Sequence, residues 1–149
     1  MTIVSSFSIV IDTNVLFEGL TKQGGAAGLI IDAWLAGLLE VCVSNALAYE
    51  YEDVLSRKIS KPRWQKLQPV LGTLLNQCRF TIIYYSWRPA SPDAGDDLVI
   101  DCAMNASATV ITSNLRDFQN AKESLGLQVM TPAQLIIKLA SIGTEPSAD

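Results

Sequence analysis

Histidine is absent from all 149 residues, and that single absence removes much of enzymology. Ser-His-Asp and Cys-His nucleophiles, paired-histidine acid–base chemistry and histidine-ligated zinc all need an imidazole. No Gly-x-x-x-x-Gly-Lys-Ser/Thr segment occurs, which excludes a Walker-type nucleotide site. Gly24, Gly25 and Gly28 form no dinucleotide fingerprint and read as a loop entering a helix. Cysteine is sparse: Cys42, Cys78 and Cys102 are odd in number, far apart and set among apolar neighbours, the pattern of reduced core thiols rather than of disulfides or a zinc site. Charged residues make up only 17% against 49% hydrophobic, which argues against disorder. No run approaches the ~18 apolar residues of a membrane span. The opening Met-Thr-Ile-Val-Ser-Ser lacks the basic start and apolar run of a signal peptide. The expectation is a cytoplasmic protein with no membrane partner, whose hydrolytic chemistry, if any, rests on carboxylates and a hard metal ion.

What is present alternates. Short β-rich segments at Phe7–Ile11, Glu40–Val43, Phe80–Tyr85, Thr109–Thr112 and Leu127–Met130 are separated by helical patterns at Ala26–Leu39, Asn45–Ile59, Pro62–Gln77, Asp96–Asn105 and Asp117–Leu125. A last helix starts at Thr131, where Thr131, Pro132 and Gln134 have the order of a capping box. This alternation predicts an α/β fold, a three-layer α/β/α sandwich around a mainly parallel sheet of about five strands. Leu47, Tyr51, Val54 and Leu55 form one buried helical stripe. Pro69 interrupts another helical run and predicts a kink or two short helices. One domain over residues 1–142 is expected, with a flexible tail at 143–149.

In an open parallel sheet, sites form beyond the carboxyl ends of the strands. Asp12 follows the first strand directly, in Asp12-Thr13-Asn14. Glu50 lies almost two turns into the helix after the second and flanks its buried stripe. Asp96 and Asp97 open the helix after the third strand, and Asn114 and Asp117 follow the fourth. Singly, each has a plain structural explanation: Asp12, Asn114 and Asp117 as turn or cap residues, Glu50 as a solvated carboxylate, Asp96 and Asp97 as first-turn acids favouring a helix dipole. Jointly they gather oxygen ligands at one edge, where like charges repel unless a cation such as Mg²⁺ or Mn²⁺ lies between them.

These stretches resemble the motifs of the PIN-domain ribonucleases. Ile9-Val10-Ile11-Asp12-Thr13-Asn14-Val15-Leu16 looks like the family's opening motif, and Ser44 to Leu55, with Glu50 before Tyr51, like the second. The run from Asp96 to Ala103 resembles the third, and Thr112-Ser113-Asn114-Leu115-Arg116-Asp117-Phe118 the fourth. Order and approximate spacing hold from Ile9 to Leu139, and the nearest likeness is to prokaryotic VapC-like toxins. The resemblance implies metal-dependent endoribonuclease activity, Mg²⁺ or Mn²⁺ held by Asp12, Glu50 and Asp96, an antitoxin partner and homodimerisation. Where many relatives have Thr-x-Asp this chain has Thr112-Ser113-Asn114, so Asp117 is the candidate for the missing carboxylate. Spacing back from Thr112 favours Asp96 over Asp97, while Asp93 and Asp101 are secondary candidates.

The net charge is −4, unusual for a nucleic-acid binder. Five cations nevertheless fall in the ten positions from Arg57 to Lys66, with Trp64 among them. Lys61 and Arg63, with Thr13 and Asn14, are candidate RNA-phosphate contacts; a solvated helix end and a core tryptophan are the alternatives. Three function classes stand: a carboxylate-metal ribonuclease, a PIN-fold RNA- or protein-binding module that has lost turnover (kept open by Asn114), and an unrelated phosphohydrolase or receiver domain. The last lacks both a second Asp at position 14 and a suitably placed lysine.

Overall fold

Ile9, Val10 and Ile11 have no solvent exposure. Neighbouring strand residues point to opposite faces, so both faces of this strand are covered, as parallel sheets require. The computed structural model describes residues 7–87 and 91–144. The elements run β1 (Ser8–Ile11), α1 (Thr13–Thr21), α2 (Gly25–Leu35), β2 (Glu40–Val43), α3 (Asn45–Lys58), α4 (Lys61–Asn76), β3 (Arg79–Phe80), α5 (Ala94–Ala106) and β4 (Thr109–Ile111). A 3₁₀ turn (Leu115–Phe118), α6 (Gln119–Leu125), β5 (Val129–Met130) and α7 (Pro132–Thr144) complete the order. The sheet is wholly parallel, in the order β3-β2-β1-β4-β5, with helices on both faces: the α/β/α sandwich the alternation predicts.

The core runs through β1, β2 and β4 to Leu16, Ile30, Trp34, Leu47, Tyr51, Leu55, Leu74 and Ile100, all without exposure. Trp34 is sealed by an indole N–H donated to the Leu74 carbonyl at 3.1 Å. The cysteines are free thiols, and burial pushes Cys78 and Cys102 up to about 12, so they stay protonated and inert. Thr131 and Gln134 cap α7 reciprocally, at 2.9 and 3.1 Å.

Four sequence expectations need correction. The third strand does not extend to Tyr85. It pairs only through Cys42↔Arg79 and Val43↔Phe80, with one further rung from Thr81 N to the Val43 carbonyl at 2.8 Å. Beyond Val43 the partner chain turns into α3, so 82–87 have no ladder to join. The Asn105 side chain substitutes for one, accepting from Tyr84 N at 2.9 Å and donating to the Tyr85 carbonyl at 2.9 Å. Pro69 does not divide α4; it lies on the exposed face, where the carbonyl that loses its donor is open to water. The first helical pattern stops at Leu35 rather than Leu39, released through Gly37 at φ +77°. A helix not expected, α1, fills the span after Asp12. The segment expected to fray from 143 onward begins inside α7, and 145–149 lie outside the described residues, as do 1–6. Among the described residues no helix is long and apolar enough to cross a membrane.

Helices α1 and α2 touch backbone to backbone at Gly19. A Cβ there would stand 2.5 Å from Ile31 Cγ1 and 2.7 Å from the Ala27 carbonyl oxygen, and the second of these is rigid. Gly19→Ala should therefore destabilise by about 1–3 kcal/mol through overpacking, although helix propensity alone favours alanine by about 1 kcal/mol. Urea unfolding decides the sign; a stabilised variant would show that the helices separate freely.

Candidate active site

All five strands present their carboxyl ends at one edge, and the first acid stands on the strand flanked by β2 and β4. Asp12 N donates to the Ile111 carbonyl at 2.9 Å, tying the end of β1 to β4. Asp12 occupies the N-cap position of α1, yet its side chain makes no well-aligned capping bond, the Thr13 and Asn14 amides only standing near it. It turns instead to Thr112, whose hydroxyl donates to Asp12 Oδ2 at 2.7 Å in a buried contact. From α3, Tyr51 donates its buried hydroxyl to the Ile11 carbonyl at 2.5 Å and fixes the same strand end from the other side.

The fourth segment closes on this point. Asn114 N donates to Thr112 Oγ1 at 3.0 Å, and Asn114 Nδ2 donates to Asp117 Oδ2 at 2.7 Å. The amide at 114 thus holds the carboxylate at 117, which lies within electrostatic reach of both Asp12 and Asp96. Asp96 enters from the first turn of α5, where Asp93 caps the helix by accepting from Gly95 N at 2.8 Å. Burial, then the neighbouring charges of Asp12, Asp93 and Asp117, push the Asp96 carboxyl up to about 7, and it is close enough to Asp117 to share a hydrogen bond. Asp12 is raised too: burial outweighs the Thr112 hydroxyl and the Asn14 and Thr13 amides, and Asp117 adds to the rise.

Glu50 is half-buried and raised by burial, then by Asp53 and Asp93. It reaches the first turn of α5 on the Asp93 side, its Oε2 lying 2.8 Å from where a Cβ on Gly95 would be. Asp97 is buried like Asp96 but accepts from Ser91 Oγ at 2.9 Å. Asp101 accepts from Trp87 N. The structure therefore gathers Asp12, Asp96 and Asp117, with Asn114 bound to the last and Glu50 beside Asp93. Thr13 is buried, and its hydroxyl has no hydrogen-bond partner among the described residues, while Asn14 is exposed.

The basic stretch is dispersed. Lys61 is exposed at the start of α4, and Arg63 donates to the Thr21 carbonyl at the end of α1. Arg57 pairs with Asp53 at 2.9 Å, and Trp64 packs partly buried against the core. Sequence reasoning did not single out Thr112 or Tyr51 for the site; a hydroxyl directly after the strand and two residues before Asn114 was the available signal for Thr112.

Asp12 and Asp96 are 3% and 9% exposed, and neither they nor Asp117 form an ion pair with any described residue. Buried like charges without a cationic side chain, all hard oxygen donors, fit a Mg²⁺- or Mn²⁺-type ion. Among the described residues no trio of acids already stands as a finished chelate, so a bound ion would require side chains to move.

A family model described as PIN domain matches residues 8–116. The chain belongs to the PIN domain family. Its PIN fold is similar to that of VapBC2 from Rickettsia felis, bound to a DNA fragment from their promoter, at 14% identity and a TM-score of 0.61, covering 84% of this chain and 98% of that one. FitAcB from Neisseria gonorrhoeae is similar at 20% identity and a TM-score of 0.58, over 84% and 98%. PAE2754 from Pyrobaculum aerophilum matches at 12% and 0.59, over 93% and 92%. At these identities the likeness is one of fold. Among curated proteins none matches the chain in sequence.

Proposed function

We propose that this PIN domain is a metal-dependent endoribonuclease, the toxin of a toxin–antitoxin pair acting in the cytoplasm. The observation that carries the reading is the burial of Asp12 and Asp96 beside Asp117, with no cationic side chain among the described residues to neutralise them. Asp12, Glu50 and Asp96 would hold Mg²⁺ or Mn²⁺, with Asp117 and Asn114 serving a second ion or the attacking water. When bound, such an ion supplies an acidified water and neutralises the phosphodiester. The chain's own residues prepare the place: Thr112 fixes the Asp12 carboxylate and Asn114 fixes Asp117, while the buried Thr13 hydroxyl would need the first turn of α1 to open before it could donate to a phosphate oxygen. Because Asn114 recruits a carboxylate rather than merely replacing one, a module without turnover is the weaker reading. The fold likeness to VapBC2 and FitAcB favours a small antitoxin as the partner; the homodimer is what the family resemblance of the sequence implies.

The purified protein should cleave single-stranded RNA with Mg²⁺ or Mn²⁺ and stop with EDTA. Cleavage persisting in excess chelator overturns the mechanism. Lys61 is exposed at the start of α4, whereas Arg63 is engaged with Thr21. Charge-neutral substitution at both positions should weaken RNA binding and flatten the slope of log affinity against log salt by roughly one to two. An unchanged slope would return these residues to a purely solvated role.

A further inference from the structure

Gly95 is the second residue of α5, a place where glycine weakens a helix relative to alanine. No left-handed backbone accounts for it: the glycines at positive φ are Gly24, Gly25, Gly37 and Gly126. Space does. A Cβ at residue 95 would lie 2.8 Å from Glu50 Oε2, 3.6 Å from Glu50 Cδ and 3.4 Å from Asp93 Oδ1. The amide of Gly95 is already committed to Asp93, so residue 95 is held in place and cannot retreat from α3.

We propose that Gly95 is a positioning residue, whose missing side chain is the room in which the Glu50 carboxylate lies against the first turn of α5. This rests on the nuclease reading only in its consequence for metal binding. Any larger residue keeps the helix but expels the carboxylate. The expelled group belongs to a flexible side chain, so the protein folds and the metal site loses one ligand's position.

Mn²⁺ affinity measured by calorimetry on four proteins tests this: wild type, Gly95→Ala, Glu50→Ala and the double variant. Gly95→Ala should weaken Mn²⁺ binding by about tenfold, the usual effect of displacing a ligand's support, while melting in EDTA at or above the wild-type temperature. In the Glu50→Ala background the same change should alter affinity less than twofold, since Gly95 acts through Glu50 alone. Wild-type affinity in Gly95→Ala, an equal loss in both backgrounds, or a lowered melting temperature that Glu50→Ala does not relieve would each overturn the proposal. The side-chain carboxyl ¹³C resonance of Glu50 in metal-free protein is read in parallel and should move on Gly95→Ala. An unmoved resonance overturns the placement. If wild type binds no Mn²⁺, the nuclease reading falls, and that resonance alone decides the role of Gly95.

Discussion

Replacing Asp12 with Asn should lower RNA cleavage on the order of 100- to 1,000-fold, while leaving the metal-free protein as stable as wild type or more so. The two effects separate because Asp12 has two connections. Its bond from Thr112 Oγ1 at 2.7 Å survives the substitution, since an amide oxygen accepts from a hydroxyl as a carboxylate does. Its backbone carbonyl continues to receive Val15 N and Leu16 N at 3.0 and 3.1 Å, so α1 still starts there. What disappears is one negative charge beside Asp96 and Asp117, and with it some repulsion. Mg²⁺ should raise the melting temperature of wild type through binding to the folded state, and raise that of the variant less. Full activity with an undiminished Mg²⁺ shift would reduce Asp12 to a helix start.

The metal-free protein should lose stability as pH rises from about 4 to 7, against the usual acid sensitivity of folded proteins. The Asp96 carboxyl moves from an ordinary 3.8 to about 7 on folding. Between those values the folded chain keeps a proton that the unfolded chain has released. Stability therefore falls with pH, by at most about 1.4 kcal/mol per unit from this group. Below the lower value both states are protonated and the contribution is fully present; above the upper value it is lost. Asp12 and Glu50, also raised, act in the same direction. Urea midpoints in EDTA at successive pH values should show the decline, Asp96→Asn should flatten it, and Mg²⁺ should oppose it at the alkaline end. A stability that climbs with pH through this window and ignores Asp96→Asn contradicts the clustering.

Patterns set by a residue's own helix or strand were legible. The α3 stripe of Leu47, Tyr51, Val54 and Leu55 is buried as its spacing predicts, and the Thr131/Gln134 box closes as written. What failed depends on partners elsewhere in the chain. The residues from Phe80 to Tyr85 have strand composition, but a strand needs a neighbour, and β2 ends at Val43. Helix α1 is hidden for a different reason: after Asp12-Thr13-Asn14 its apolar stretch is only Val15, Leu16 and Phe17 in a nine-residue helix, too short for helical periodicity to stand out. Adjacent acids show the same limit. Spacing favoured Asp96 over Asp97 without deciding between them; about 100° of helical rotation sends the first toward Asp12 and Asp117 and the second toward Ser91. Nor does sequence reveal that Asn114 brings a carboxylate with it, because that bond exists only once the 3₁₀ turn forms.

The parallel pairing of β1 with β4 joins residues 100 positions apart, Asp12 to Thr112. During synthesis, Asp12 leaves the ribosome long before the strand and hydroxyl that hold it, and Asp117 emerges later still. Loop-closure entropy must be met across most of the chain before these groups can meet. A nascent or truncated chain ending before Thr109 has β1 and the Asp12 carboxylate but neither β4 nor its threonine. The acidic cluster therefore comes into being only when most of the molecule has been made, and no shorter piece of the chain that ends before β4 can assemble it.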